Sequence, residues 1–274
     1  MQSQLRICFI GGGNMAQALI GGLADKLTAA SNIHVVDVNP EALATLSQRF
    51  GVSTSATADK VVAAADVVVL AVKPQQMREV VYGIAGQIGQ QLVLSIAAGI
   101  RAADLSRWLG GHTAIVRTMP NTPALVGKGI TGMAALPGVS SSQRDSADAI
   151  LRAVGDTVWL DDEGQIDAVT AISGSGPAYV FYFLEAMQQA ALELGLSAEQ
   201  GRTLAQATFV GASALASQSD DPLSVLRERV TSKGGTTYAA LTSMEASGVK
   251  SAIVKALRAA AARGAELGEE FGRD

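Results

Sequence analysis

Short apolar runs alternate with segments of helical periodicity over about the first 160 residues. The runs are rich in Val and Ile, and several are apolar throughout, which is typical of strands covered on both faces of a parallel sheet. This alternation predicts βαβ units and a doubly wound sheet. The predicted strands are residues 5–10, 33–37, 66–72, 92–96, 113–119, 130–134 and 157–160, and the predicted helices are residues 15–26, 41–50, 75–84, 102–109 and 141–154.

The pattern changes after Asp162, where helical periodicity continues but no further strand is predicted. Gly195 and Gly248 each follow a predicted helix at a position typical of a C-cap, and Asp221-Pro222 is typical of a helix N-terminus. We therefore predict an α/β domain over residues 1–162 and an all-α domain over residues 163–274. The predicted helices of the second domain are residues 165–173, 177–194, 197–217, 222–230, 236–247 and 251–270.

Small, uncharged residues dominate parts of the helical half, as in the stretch AQATFVGASALAS. A helix of this composition is typically buried on most sides. The chain of 274 residues is 48% hydrophobic and 17% charged, which is less charge than a solvated surface usually carries. We therefore expect a second subunit to cover the helical domain.

Charge, apolar run length and cysteine content argue against several classes of protein. The formal net charge is −4 with no basic cluster, so no nucleic-acid partner is expected. No run of 18 apolar residues occurs and no signal-peptide pattern is recognised, so we predict no membrane partner and a cytoplasmic location. The single cysteine, Cys8, is predicted to lie in the core. His34 and His112 have no partners at metal or catalytic spacing, so no metal site is predicted.

The segment ICFIGGGNMA joins the first predicted strand to the first predicted helix. In its Gly11-x-Gly13-x-x-Ala16 spacing, Gly11 allows a tight turn, Gly13 lets a pyrophosphate approach the backbone, and Ala16 permits close helix packing. The helix N-terminus adds N–H groups and a positive dipole end. Because a second strand follows at residues 33–37, the context favours a dinucleotide site over a purely structural turn.

Polar residues at the carboxyl ends of predicted strands are candidates for cofactor contacts. Asp37 ends the second strand, where an acid usually bonds the ribose 2′-OH and favours NADH. Asn39, with Ser55 or Thr57, offers the alternative of a phosphate contact, so NADPH stays open. Lys73 either faces the cofactor or is an ordinary solvated lysine. The small-residue segments SIAAG and MPNTPA suit a flat surface for the nicotinamide ring.

Four hydroxyl-bearing residues surround two glycines where a predicted helix begins, in the stretch VTSKGGTTYAAL, residues 230–241. Glycines bring backbone N–H groups close to a ligand, and the helix dipole favours an anion at this end. Ser232, Thr236 and Thr237 add hydroxyl donors. The stretch therefore fits a small carboxylate, and the alternative explanation is a Ser or Thr N-cap with a glycine loop.

Six motifs taken together resemble the pyrroline-5-carboxylate reductase family. They are FIGGGNMA, AVKP, SIAAG, MPNTPA, SGSGPAY and VTSKGGTT, in the order of the family between Phe9 and about Leu241. The resemblance implies an N-terminal Rossmann domain and a C-terminal helical domain that forms a homodimer, with a decamer as the larger assembly. It also implies reduction of the C=N bond of 1-pyrroline-5-carboxylate to L-proline by NADPH or NADH.

The resemblance carries over residue by residue. It places Thr237 on the substrate carboxylate, with Ser232 and Ser175 as further catalytic candidates. The predicted substrate-binding residues are Gly234, Gly235, Thr236 and Thr237. The predicted cofactor-binding residues are Ile10, Gly11, Gly12, Gly13, Asn14, Met15, Asp37, Asn39, Ala71, Val72, Lys73, Pro74, Ala97, Ala98 and Asn121.

Two residues depart from the family pattern. Lys233 stands where the family usually has proline, which either alters the loop before the glycines or adds a positive charge near the carboxylate. Asp37 lies near a site where many members carry small hydroxyl residues, which argues against the usual preference for NADPH.

Two rival functions are weighed against the reductase. A protonated imine already accepts hydride at carbon, so the reductase needs positioning more than an acid–base pair. β-Hydroxyacid dehydrogenases share this architecture but need a lysine one turn into the helix after the glycine-rich segment, and VFYFLEAMQQAALEL contains none. A nucleotide-sensing module would bind cofactor without turnover, and no effector or DNA-reading segment is recognised.

Overall fold

An eight-stranded sheet dominates the first part of the computed structural model, which describes residues 4–273. The strands are β1 (Ile7–Ile10), β2 (Ile33–Val36), β3 (Ser53–Ser55), β4 (Val67–Leu70), β5 (Leu92–Ser95), β6 (Ile115–Met119), β7 (Gly129–Ala135) and β8 (Gly155–Trp159). Their order in the sheet is β3-β2-β1-β4-β5-β6-β7-β8. The chain first builds outward from β1 to β3 and then returns to β4 on the other side of β1. This is the order of a doubly wound fold, with its switch point between β1 and β4.

Helices cover the sheet and make up the rest of the described chain. They are α1 (Asn14–Leu23), α2 (Pro40–Phe50), α3 (Asp59–Ala64), α4 (Pro74–Ile84), α5 (Ala102–Trp108), α6 (Ser141–Arg152), α7 (Ile166–Val169), α8 (Gly176–Glu193), α9 (Ala198–Ser217), α10 (Leu223–Arg229), α11 (Thr236–Ala246) and α12 (Val249–Gly272). Within residues 4–273, none of them has both the length and the apolar character needed to cross a membrane.

The sheet is parallel except at one edge. Strands β1 to β6 run in one direction, whereas β7 pairs antiparallel with β6 and β8 runs parallel to β7. A parallel connection needs about a dozen residues or more, and residues 120–128 between β6 and β7 are too few. The predicted doubly wound sheet is therefore confirmed, with a reversed edge that the apolar runs did not reveal.

Both faces of the sheet are covered by apolar side chains. In β1, Ile7 and Phe9 pack into a cluster with residues of α1, α2 and α6. Cys8 and Ile10 point the other way and pack with residues of α4 and α5. All four are buried. Burial on both faces explains why this strand is apolar at every position.

Two short elements lie where the sequence predicted none. Strand β3 consists of Ser-Thr-Ser and pairs with β2 at the edge of the sheet. Its two serine hydroxyls lie 2.8 Å from the ring nitrogens of His34 on β2. A polar edge strand has no hydrophobic periodicity, and α3 spans only six residues, so neither gives a pattern that can be recognised.

The chain packs into two units, and the first extends past the predicted boundary at Asp162. It comprises the chain up to Gly176 together with the part from Ala260 onward. Helix α7 belongs to it because a Cβ on Gly132 of β7 would lie only 2.7 Å from Val169 of that helix. We call this part the nucleotide unit.

The end of α12 is held within the nucleotide unit by packing and by hydrogen bonds. A Cβ on Gly99 would lie 3.3 Å from the ring of Phe271, so the helix end lies directly on the chain after β5. Arg107 donates to the carbonyl oxygen of Gly272 at 2.7 Å, and Arg101 donates to that of Ala265 at 3.4 Å. Cations are favourable at a helix C-terminus, where carbonyl groups lack partners.

The second unit, Pro177–Ala259, buries few side chains. We call it the helical unit. Helices α8 and α9 touch through Phe183 and Phe209, whose ring centroids lie 6.4 Å apart. Large apolar side chains elsewhere on the unit are exposed, including Val210 at 72% and Leu215 at 70%. An apolar surface of this extent is typical of a subunit interface.

We predict that the chain is not a monomer in solution. Light scattering at micromolar concentration should give a multiple of the mass of one chain, because the apolar side chains of the helical unit would otherwise face water. Val210→Glu on α9 should lower that mass. Ala44→Glu adds the same charge at an exposed position on α2 and should leave the mass unchanged. A well-folded, active chain of monomer mass would contradict the prediction.

Candidate cofactor and substrate sites

A cavity of about 510 Å³ opens at the carboxyl ends of β1 and β4. This is the switch point, where open α/β sheets bind their ligands. The predicted cofactor-binding residues that line it are Ile10, Gly11, Gly13, Asp37, Asn39, Ala71, Val72 and Lys73.

Gly11 lets the chain turn sharply out of β1. Its φ is +105°, and a Cβ there would lie 2.7 Å from the backbone carbonyl of Ala71. Its N–H donates to the carbonyl oxygen of Val36 at 2.8 Å, which ties the turn to β2. At Gly13, by contrast, a Cβ would meet no atom within 4 Å, so the backbone there is open to a ligand. The turn therefore has the two properties that a pyrophosphate site requires.

Helix α1 begins at this turn without a side-chain cap. Gly13 occupies the N-cap position, and no acidic residue lies in the first turn. The first N–H groups of an α-helix have no partner within the helix. At α1 they are available to an anion, and the helix dipole favours negative charge there.

Asp37 holds the glycine turn through its carboxylate. Its Oδ2 accepts the N–H of Gly12 at 2.6 Å, and its Oδ1 accepts the N–H of Asn39 at 2.8 Å. Asn39 in turn caps α2 by accepting the N–H of Glu41 at 3.0 Å. Carboxylate oxygens have further lone pairs that can accept from a ribose hydroxyl. The same negative charge opposes a phosphate on that ribose.

One face of α4 forms a wall of the cavity that was not predicted from the sequence. Four residues of this face line the cavity, namely Gln76, Val80, Gly83 and Ile84. They follow the i, i+4, i+7, i+8 spacing of a helix face. That spacing is the signal that could have identified them. The cavity residues that were not predicted are Val36, Val38, Ala56, Ala58, Gln76, Val80, Gly83 and Ile84. Val38 is 86% exposed beside Asp37, and its side chain offers an apolar surface at the rim.

Some predicted cofactor residues lie outside the lining of this cavity. Asn14 lines a separate groove of about 400 Å³ along α1, and Met15 packs against the core. Ala97 is buried after β5, whereas Ala98 is half-buried. The full set outside the lining is Gly12, Asn14, Met15, Pro74, Ala97, Ala98 and Asn121.

Asn121 is buried and hydrogen-bonded within the protein. Its Nδ2 donates to the carbonyl oxygen of Ser173 at 3.1 Å, and its Oδ1 accepts the N–H of Ile130 at 3.0 Å. Ser173 belongs to a π-helical turn, Thr170–Gly174, which ends directly before Ser175. Such turns are rare and frequently occur at functional sites. The fold thus brings the MPNTPA and SGSGPAY motifs together.

The glycine loop before α11 lies in the helical unit. Gly234 has φ +74°, and Gly235 is the N-cap of α11. No side chain caps this helix, so the alternative explanation of a Ser or Thr N-cap is wrong. Within the described residues, no hydrogen bond engages the hydroxyls of Ser232, Thr236 and Thr237.

One hydroxyl of the same loop is already engaged. Thr231 donates through its hydroxyl to the carbonyl oxygen of Arg227 at 2.6 Å. The hydroxyl groups that remain for a ligand are therefore those of the three residues selected from the sequence. Lys233 is exposed in the turn between α10 and α11.

The cysteine lies in the core, as predicted, and both histidines contact polar groups of the protein. Cys8 is buried, and burial raises the pKa of its thiol to about 12. Burial also lowers the pKa of His34, whose two ring nitrogens contact serine hydroxyls. His112 contacts the carbonyl oxygen of Gln91 at 3.0 Å. Among the described side chains, no group of three or more His, Cys, Asp or Glu residues is placed to hold a metal ion.

Two family models match separate parts of the chain. Residues 163–267 match the model described as pyrroline-5-carboxylate reductase dimerisation. Residues 6–99 match the model described as NADP oxidoreductase coenzyme F420-dependent. The first match begins directly after the boundary predicted at Asp162, and the second contains the glycine turn and the residues that follow β4.

Whole-chain comparisons point to the same family. The chain is 47% identical over 269 residues to the pyrroline-5-carboxylate reductase of Pseudomonas aeruginosa, covering 98% of each chain. A solved pyrroline-5-carboxylate reductase from Coxiella burnetii superposes with a TM-score of 0.91 at 39% identity, covering 97% of this chain and 99% of that one. The Plasmodium falciparum pyrroline carboxylate reductase, solved with NADP bound, has a TM-score of 0.88 at 28% identity, covering 98% and 100%. The chain belongs to the pyrroline-5-carboxylate reductase family.

Proposed function

We propose that this chain is an NAD(P)H-dependent oxidoreductase that reduces 1-pyrroline-5-carboxylate to L-proline. The observation that carries the proposal is the 47% identity to the Pseudomonas aeruginosa enzyme over nearly the whole of both chains. The open glycine turn at the sheet switch point supplies the place for the dinucleotide that this reaction needs.

The cofactor binds with its pyrophosphate over the turn from Gly11 to Gly13. The uncapped N–H groups of α1 and the open backbone at Gly13 support this placement. The adenine lies against the apolar rim that includes Val38 and the exposed face of α4. Lys73, exposed at the N-cap of α4, adds positive charge near the phosphates.

The substrate carboxylate binds at the N-terminus of α11. Gly234 and the first residues of α11 present backbone N–H groups there, whereas the N–H of Gly235 already donates to the carbonyl oxygen of Ser232 at 3.0 Å. The helix has no acid in its first turn and no side-chain cap. Ser232, Thr236 and Thr237 supply hydroxyl donors. Lys233 adds a positive charge to the same loop, which favours an anion.

The reaction adds hydride to the imine carbon and leaves the nitrogen protonated. When bound, the reduced nicotinamide supplies the hydride. A protonated imine is already electrophilic, so the protein contributes by holding the ring in line with the nicotinamide rather than by a general acid–base pair. Ser175, directly after the π-helical turn, lies beside the ring and orients it.

Assembly and location follow from the same function. The helical unit forms the interface of a homodimer, in agreement with the dimerisation model that residues 163–267 match. Association of such dimers into a decamer is the larger assembly we propose. We also propose a cytoplasmic location, where reduced nicotinamide nucleotide is supplied.

Cofactor oxidation measured with alternative substrates tests the proposed function. Absorbance at the nicotinamide band should fall with 1-pyrroline-5-carboxylate and NADPH or NADH, and L-proline should accumulate in equal amount. A panel of hydroxyacids should give no reduction of NADP⁺ or NAD⁺. Hydroxyacid oxidation in the rival family needs a lysine at this place, and α8 has none. Turnover of a hydroxyacid would favour the β-hydroxyacid dehydrogenase alternative, and cofactor binding without any turnover would favour a nucleotide-sensing module.

Thr237→Ala should lower kcat/KM for 1-pyrroline-5-carboxylate by about 10- to 150-fold. The variant loses a hydrogen bond to a charged group, worth roughly 1.5–3 kcal/mol. The Kd for NADPH should change little, because the proposed phosphate site lies on the Gly11–Gly13 turn. Thr242→Ala, on the same helix, is the matched control and should keep wild-type kinetics. Unchanged kcat/KM in Thr237→Ala would refute the carboxylate assignment.

Asp37→Asn should shift the cofactor preference toward NADPH. Removing the charge relieves a repulsion of about 1–2 kcal/mol with the 2′-phosphate, so the ratio of kcat/KM for NADPH to that for NADH should rise about 5- to 30-fold. Asparagine keeps an oxygen that can accept one of the two N–H groups that the carboxylate holds. Asp37→Ser removes the charge with a side chain like that of many family members and should shift the ratio the same way.

The control for the cofactor experiment is Asp145→Asn, which removes an exposed charge on α6. It should leave the ratio unchanged. If neither Asp37 variant moves the ratio beyond this control, Asp37 does not face the ribose.

A further inference from the structure

Pro177 leaves a backbone carbonyl of the SGSGPAY motif without its usual donor. In an α-helix, the carbonyl oxygen of residue i accepts the N–H of residue i+4. Ser173 lies in the π-helical turn, and an α-helix continued through it would need this N–H from Pro177, which has none. A half-buried carbonyl at this point needs a donor from elsewhere, because an unsatisfied polar group away from water is destabilising.

Asn121 supplies this donor from the sheet. Its side-chain Nδ2 lies 3.1 Å from the carbonyl oxygen of Ser173. The side chain is itself anchored, because its Oδ1 accepts the N–H of Ile130 at the beginning of β7. Asn121 is 8% exposed, so the two bonds lie in a region with little competing water.

The π-helical turn is braced against the same strands by close packing. A Cβ on Gly174 would lie 2.5 Å from the terminal methyl of Met119, which ends β6. In the segment before the turn, Arg117 of β6 pairs with Glu163 at 3.0 Å and with Asp167 of α7 at 3.4 Å. Within the turn, the N–H of Ser175 donates to the carbonyl oxygen of Thr170 at 2.8 Å. The backbone before Ser175 is therefore held by Arg117 and Met119 of β6 and by Asn121, which follows that strand.

We infer that Asn121 is a positioning residue, which sets the backbone at Ser175 by bonding the carbonyl that Pro177 leaves without a donor. This inference rests on the proposed function, in which Ser175 orients the substrate ring. It differs from the sequence-based expectation that Asn121 contacts the cofactor. Both functional groups of its amide are engaged within the protein, and it does not line the dinucleotide cavity.

Asn121→Asp separates the two bonds of this side chain. The aspartate keeps an oxygen that can accept the N–H of Ile130, but it replaces the amide NH₂ that donates to Ser173 with a second oxygen. Gln91→Glu is the matched control in the nucleotide unit. Gln91 is also buried, its Oε1 accepts the N–H of Gly89, and its Nε2 donates to backbone carbonyls, among them that of Gln87 at 3.2 Å. Gln91 precedes β5, at the opposite end of the strand from the SIAAG motif.

Steady-state kinetics on the two variants should differ. In Asn121→Asp, kcat/KM for 1-pyrroline-5-carboxylate should fall by about 10- to 100-fold, because misplacing a positioning group by up to about 1 Å has effects of this size. The Kd for NADPH, measured by fluorescence, should stay within about twofold of wild type, as expected of a residue that does not touch the cofactor. Gln91→Glu should keep wild-type kinetics even if its melting temperature falls. Equal kinetics in both variants would overturn the inference, and so would a matching rise in the Kd for NADPH in Asn121→Asp.

Hydrogen exchange tests the positioning without any substrate. The amide of Ser175 should exchange faster in Asn121→Asp than in wild type, whereas in Gln91→Glu it should exchange at the wild-type rate. Unchanged exchange at Ser175 in Asn121→Asp would overturn the inference. Asn121→Ser provides the same comparison if the aspartate variant does not fold. Failure of the proposed function would appear separately, as absence of turnover of 1-pyrroline-5-carboxylate by the wild-type protein.

Discussion

The close approach of Gly11 to the backbone of Ala71 is the constraint on which the nucleotide unit depends. Gly11 directly follows β1, and Ala71 directly follows the neighbouring strand β4. Any side chain on residue 11 would overlap the carbonyl of Ala71. Because the two strands stay adjacent up to their ends, the cavity opens between the segments that follow them. Asp37, which follows β2, also holds the turn by accepting the N–H of Gly12.

Helices in the described part of the chain differ in whether a side chain caps the N-terminus, and α1 and α11 are two of several that lack such a cap. Helices α6 and α9 begin with capping boxes, built by Ser140 and Ser197 with the glutamine three residues later. Helices α1 and α11 instead begin at glycines, with no side-chain cap and no acid in the first turn. A cap contributes about 1 kcal/mol to a helix, so leaving it out has a stability cost. In the proposed function these two ends receive the two anionic groups, pyrophosphate and carboxylate, which offset that cost when they bind.

The helical unit and the nucleotide unit are stabilised in different ways. The sheet buries apolar side chains on both faces within one chain. The helical unit leaves large apolar side chains of α8, α9 and α11 exposed, so the hydrophobic effect that stabilises these helices requires a further surface. The low content of charged residues, 17%, is consistent with this difference between the two units, because a surface that is covered by another subunit needs few charges.

The sequence by itself determined the features that depend on local pattern. Runs rich in apolar residues identified every described strand of the sheet apart from β3. Glycine spacing identified the dinucleotide turn, because both patterns are local in the sequence. Tertiary structure decided the rest. The polar strand β3 exists through its pairing with β2, and β7 reverses because its connection is too short for a crossover. The end of α12 joins the nucleotide unit through contacts with residues that precede it by more than 150 positions. The role of Asn121 likewise depends on a carbonyl 52 residues away in the sequence. No local pattern can encode such pairings, since they arise only when distant segments are packed side by side and their polar groups must find partners.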